Sequence, residues 1–161
     1  MAQVTNITAI LLDQLDSCYH GKAWHGPHLR GVLHGLDEAE AGRKGPAAAH
    51  SIAEIALHCA YWKYAVRRRL LKSKRGLFPW KGSNWLKVPE PLTKASWLQI
   101  LDTLEQEHAA LSEAVKAFPE KQWGSISVGS KYRNYQLIQG IAAHDVYHAG
   151  QVRLLKPKRG D

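Results

Sequence analysis

At 161 residues, with 45% apolar and 22% charged side chains, the chain fits one globular domain over residues 1–161 with a proper core, and no second domain is needed. No apolar run approaches the roughly twenty residues that span a bilayer, and the first residues lack a basic segment followed by an apolar one. Neither a membrane span nor an export signal is expected, and the cytoplasm is the expected location. The net charge of +8 is concentrated in Arg67–Arg69, Lys72–Arg75 and a tail at Lys156–Arg159. The first cluster closes a helix, where cations meet the negative end of the dipole, and the tail reads as a solvated terminus. With no finger, basic zipper or RNA-binding signature, nucleic acid is not the expected partner, and a small-molecule substrate, if charged an anionic one, fits better. Cys18 and Cys59 are too few for a disulfide framework and read as buried small apolar residues in a reducing compartment.

Taken in chain order, the first helix is expected over Thr5–Tyr19, with Ile7, Ile10, Leu11 and Leu15 on its apolar face and Asn6 or Thr5 as cap. Gly21 and Gly26-Pro27 break the chain before a shorter helical piece at Leu29–Leu36. After the loop Lys44–Pro46, Ser51 and Glu54 have capping-box spacing and open a long helix from Ile52 to about Lys72. Its stripe of Ile55, His58, Trp62, Ala65 and Arg69 turns His58 inward. The irregular stretch Gly76–Pro91, rich in aromatics and prolines, reads as a pocket cover or as a packed connection across the bundle end. A third long helix follows over Ala95–Ala117, with His108 near its apolar face, and Pro119 stops it. The fourth begins near Asn134. Strand-like alternation is almost absent, so the expected fold is all-α, a four-helix bundle with a short extra helix and one long crossing loop.

The last helix carries His144-Asp-Val-Tyr-His148. Positions i and i+4 are neighbours on a helix surface, so two imidazoles can converge on one divalent ion about 2 Å from each. Among nine histidines that spacing also arises by chance, and the face on which the pair lies matters more. Leu137, Ile141, His144, His148, Gln151 and Leu155 form one core-facing stripe, so both rings point inward and need partners from another helix. Those partners are a metal, or else a buried carbonyl, carboxylate or water. The pattern is not that of a zincin: Asp145 stands where a zincin has glutamate, and beyond His148 only Asp161 could be a further ligand. The third ligand must therefore come from an earlier helix, where His58 and His108 are the inward histidines.

Three motifs, Ala23-Trp-His-Gly-Pro-His-Leu-Arg with Val-Leu-His-Gly-Leu, His50-Ser-Ile-Ala-Glu-Ile-Ala-Leu-His58, and His144-Asp-Val-Tyr-His148-Ala-Gly-Gln151-Val, resemble the DinB/YfiT-like superfamily over nearly the whole chain. The resemblance implies a four-helix bundle of up-down-down-up order. It also implies one divalent ion, typically nickel or zinc, held by His58, His144 and His148, and a homodimer as a frequent state. Relatives include thiol-dependent transferases and isomerases that use low-molecular-weight thiols, and proteins described as hydrolases.

Three neutral imidazoles leave an ion its double charge and its open positions, so water or a thiol bound there should lose a proton near neutral pH. The expected function is that of a metal-dependent hydrolase or thiol transferase; a non-catalytic, stress-associated metal-binding bundle is the alternative. Asp145 and Gln151 are the catalytic candidates. Asp145 lies about 100° round the helix from His144 and suits a carboxylate that orients a ligand, or a helix-surface charge, better than a general base. Gln151 could bond a ligand or bound water, or serve packing between helices. Gly150 reads as a point of close helix approach. Trp24, Trp62, Trp80, Trp85 and Trp97 read as core or lid.

Overall fold

The computed structural model describes residues 6–156, in which helices alternate with irregular connections; among them the sole β feature is an isolated bridge between Ile126 and Arg133. In chain order the helices are α1 (Ile7–Tyr19), α2 (Leu29–Leu33), α3 (Glu38–Gly42), α4 (Ile52–Leu70), α5 (Lys94–Ala117) and α6 (Asn134–Leu155), with a 3-10 turn at Glu120–Gln122 before the last. Thr5, Asp161 and the tail beyond Lys156 lie outside the described residues.

The helix starts follow the local chemistry. Asn6 Oδ1 accepts the Ala9 N–H at 2.8 Å, Thr93 Oγ1 accepts Ser96 N–H at 3.1 Å, and Ser51 and Glu54 satisfy each other's backbone N–H groups at 3.2 and 2.8 Å. The short piece expected over Leu29–Leu36 spans only Leu29–Leu33, and a second turn that was not expected, α3, follows it. Gly35 takes a left-handed φ of 73°, which ends the first, and Asp37 with Glu40 forms a capping box that starts the second. At its other end α4 stops at Leu70, two residues short of the expected Lys72, which itself adopts φ 52°. Arg67, in the last turn of α4, is not left to solvent: it holds Glu107 of α5 through hydrogen bonds of 2.9–3.1 Å.

The long helices bury two apolar clusters. One gathers Ile52, Ile55, Ala56 and Cys59 of α4, Trp97, Ile100 and Leu104 of α5, Ala149 and Val152 of α6, and the last residue of α1, Tyr19. The other gathers Leu11 and Leu15 of α1, Val66 and Leu70 of α4, Leu111 and Val115 of α5, and Leu137, Ile138 and Ile141 of α6. Thus α4 and α5 start in the first cluster and end in the second, whereas α1 and α6 run the other way. Two neighbours that point the same way cannot be joined by a tight turn. The stretch between α4 and α5 must travel back about 28 Å, the length of a 19-residue helix. It does so as a packed connection, with Phe78, Trp80, Trp85, Leu86 and Val88 on the first cluster. Between the clusters lies a layer of buried polar side chains, Lys63, Glu107, His108 and Asp145.

Trp97 is buried and Trp80 and Trp85 are partly so, but Trp24 is fully exposed and belongs to neither core nor lid. Gly150 is not a point of close approach: a Cβ there would meet nothing within 4 Å among the described residues. Its position is set by no packing need, so Gly150→Ala is expected to raise stability by up to about 1 kcal/mol through helix propensity. Urea unfolding of the variant beside the wild type measures it; a loss of stability would show that a methyl group is not accommodated.

Candidate metal centre

Three ring nitrogens meet at one point. His58 Nε2 lies 3.0 Å from His144 Nε2, and His148 Nε2 lies 3.1 Å from the same atom. His58 comes from α4 and the other two from α6, two helices that run in opposite directions and pack on each other. Nitrogens that share one ion at about 2 Å each would stand about that far apart. His58 and His148 are buried and His144 is half-buried.

Hydrogen bonds on the far side of two rings decide what those nitrogens offer. His58 Nδ1 faces the carbonyl oxygen of Asn84 at 2.9 Å, and because a carbonyl only accepts, Nδ1 carries the hydrogen. His148 Nδ1 faces Gln151 Oε1 at 2.7 Å, with the Gln151 amide NH2 donating to Tyr147 Oη at 3.1 Å, so the same tautomer follows. Both Nε2 atoms therefore present lone pairs to one spot. A single hydrogen on His144 Nε2 cannot satisfy both at full strength, whereas one cation satisfies all three nitrogens. His144 Nδ1 is buried with no hydrogen-bond partner among the described residues. These donors fit a divalent ion of the kind that imidazole nitrogens bind.

The rings are also held neutral, which a ligand requires. Burial lowers the His58 pKa to about 4, against the opposing pull of the Asn84 carbonyl. Burial, and then the charges that His148 and His58 would carry, lower His144 to about 3. His148 is lowered by burial too, with the Gln151 bond acting the other way.

The loop after α4 closes one side of the group. Trp85 stacks face to face on His58, ring centroids 3.8 Å apart and 7° from parallel, and on its other face stacks on His50 at 3.6 Å. Asn84, in the left-handed region at φ 61°, supplies both the carbonyl for His58 and a side-chain oxygen for Trp62 Nε1 at 2.9 Å. Asparagine is one of the few residues that adopts this conformation readily.

Asp145 is fully buried and pairs with Lys63 of α4, itself fully buried; it is not a helix-surface charge. Burial pushes its carboxyl up while the Lys63 ammonium pulls it down. Its second oxygen has no hydrogen-bond partner among the described residues, and a carboxylate oxygen of Asp145, a ring nitrogen of His144 and Cys59 Sγ lie within 4.8 Å of one another. Gln151 bonds His148 and Tyr147 within α6 and makes no hydrogen bond to another helix among the described residues. His108 stands apart: it bonds Asp16 at 3.2 Å, stacks on Tyr19 at 3.9 Å, and forms a separate group with Asp16 and His20. The burial of Lys63 was not expected, yet the sequence carries a signal for it. Ile52, Ala56, Cys59, Lys63, Val66 and Leu70 form a continuous inward stripe at intervals of three and four, with the lysine in its middle. Nothing in the sequence marks Asn84 beyond its place in a loop.

Two outcomes are expected. Removing one member of a buried ion pair strands the other, so Lys63→Met should destabilise the protein by about 3–5 kcal/mol, and adding Asp145→Leu should recover much of that. Urea unfolding of the single and double variants tests it, and a double variant no better than Lys63→Met would show that the two charges are not coupled. The second concerns pH. All three rings have folded-state pKa values below the ordinary 6.5. The unfolded chain thus binds more protons below pH 6.5, and stability falls with falling pH from there toward about 3. Metal-depleted protein should lose up to about 1.4 kcal/mol per pH unit for each histidine that titrates. Denaturation at pH 7, 6 and 5 should show a shallower fall in His144→Gln, and an unchanged slope would remove this ring from the account.

A model of the DinB superfamily matches residues 24–152. No curated protein and no solved structure matches the chain. The matched span takes in His58, His144 and His148 together with the helices that carry them, and the chain belongs to the DinB superfamily.

Proposed function

We propose that His58, His144 and His148 hold one divalent ion, nickel or zinc, and that the protein is a metal-dependent enzyme that activates water or a low-molecular-weight thiol, within a four-helix bundle of up-down-down-up order. The observation that carries this reading is the convergence of three Nε2 atoms, two of them fixed as lone-pair donors by the Asn84 and Gln151 oxygens. The order of the helix ends in the two apolar clusters supports the topology. When bound at three neutral imidazoles, the ion retains its charge and lowers the pKa of a water or thiol at an open position.

The chain's own residues act around that position. Asn84 and Gln151 fix the tautomer and the tilt of His58 and His148, the role that hydrogen-bonded oxygens take behind histidine ligands. Gln151 acts through His148 as a positioning residue. Asp145, neighbour of His144 in the chain and paired with Lys63, is too enclosed to move protons to and from a substrate. Trp85 covers one face of His58 and keeps water from it.

Elemental analysis of protein purified without a metal-affinity tag tests the reading. About one nickel or zinc per chain is expected, lost in His58→Ala and His144→Ala and kept in His28→Ala, whose ring caps α2 through the Gly31 N–H. Metal retained at full stoichiometry in His144→Ala would refute the three-histidine site. Thiol transfer or hydrolysis that stops on chelation and returns with the ion would separate an enzyme from a bundle that only binds metal.

A further inference from the structure

Beside His144 a cavity of about 400 Å³ opens between α4 and α6. Trp62, Val66, Leu137 and Ile141 give it apolar walls, and a cavity of this size takes a small organic molecule. Among the described residues no aspartate or glutamate lines it, and Arg69 does. Of the three arginines that close α4, Arg67 is bound by Glu107 and Arg68 donates to the Ser73 carbonyl. Arg69 is half-buried and lines this largely apolar space, and its guanidinium has no ion pair or hydrogen bond with any described residue. The rise along α4 from His58 to Arg69 is about 16 Å, and the arginine side chain shortens the gap. An apolar body several carbons long could then run from Arg69 toward the histidines.

We propose that this cavity binds a small amphipathic carboxylate, its anionic head on Arg69, its apolar body over Trp62, Leu137 and Ile141, and its far end at His144. The assignment deepens the reading of the three histidines as the reactive centre and rests on it for the meaning of that far end. A guanidinium pairs with a carboxylate through two parallel hydrogen bonds, and the low dielectric of the walls strengthens the pairing. An uncharged ligand of the same shape would gain from the walls alone.

The test is calorimetric titration with octanoate and with 1-octanol, on protein loaded with metal and on protein depleted of it, with metal content measured on the same samples. Octanoate should bind at least tenfold more tightly than octanol. Arg69→Gln should abolish that preference and leave octanol unchanged, and Arg69→Lys should keep part of it. Arg153→Gln, which removes the same charge from an exposed position on α6 that is not on the cavity wall, should keep all of it. Equal binding of the two probes, a preference that survives Arg69→Gln, or an equal loss in Arg153→Gln would each overturn the assignment. Protein that takes up no metal yet prefers octanoate through Arg69 would support the cavity and refute the metal centre. Protein that holds the metal and shows no preference would refute the cavity alone.

Discussion

The buried pair of Lys63 and Asp145 is the constraint on which the rest of the molecule turns. Both side chains are wholly enclosed, and taking two such charges out of water costs several kcal/mol each, which their attraction offsets only while they stay in contact. Contact is possible in one register of α4 against α6. A slip of one residue along either helix would turn its charged side chain about 100° away, into apolar surroundings. His58 lies five residues before Lys63 on α4, and His144 is the immediate neighbour of Asp145 on α6. The register that satisfies the ion pair is therefore the one that brings His58 onto the two histidines of α6. Hydrophobic clusters above and below tolerate small shifts far better than a buried charge does, so the pair contributes specificity where the clusters contribute most of the stability.

The same layer explains why His108 is not the third member of the group. His58 and His108 both lie on inward faces of long helices, and the spacing of apolar residues cannot choose between them. What separates them is which side of Lys63 each helix presents. His108, on α5, meets Asp16 and Tyr19 of α1, where burial first and then the nearby Lys63 charge lower its pKa to about 2. A ring so placed stays neutral and serves packing between α1 and α5. The 3.6-residue period states that a side chain is inside; it does not state which neighbour it finds there.

That distinction marks how far the sequence could be read. The four long helices, their caps at Asn6 and Ser51, and the inward direction of His58, His144 and His148 were legible because each depends on residues within one or two turns of one another. The turn at α3 escaped because Glu38-Ala-Glu-Ala-Gly42 has no apolar period, and only the spacing of Asp37 and Glu40 announced it. Gly150 was misread because glycine in a helix suggests close packing, while the space beside it is open. Lys63 escaped for a different reason: a lysine within a helix is ordinarily solvated, and its burial follows from a partner 82 residues away. Asn84 is similar, since its carbonyl reaches His58 only after the connection between α4 and α5 has folded back on the first cluster.

The connection gives the histidine group two unlike sides. On one, Asn84 and Trp85 are pinned down by the Trp62 bond and by the stack of His50, Trp85 and His58, and the imidazole of His58 is covered. On the other, half-buried His144 borders the cavity between α4 and α6. A molecule that enters from the cavity side meets His144 first and does not meet Asn84, which is not on the cavity wall. Approach from the loop side would have to break the carbonyl bond that sets the His58 tautomer, and with it the lone pair that makes His58 a donor. The fold thus keeps the residues that orient the rings apart from the space through which a ligand can come. A rigid set of nitrogens and an accessible face can then coexist in one small bundle.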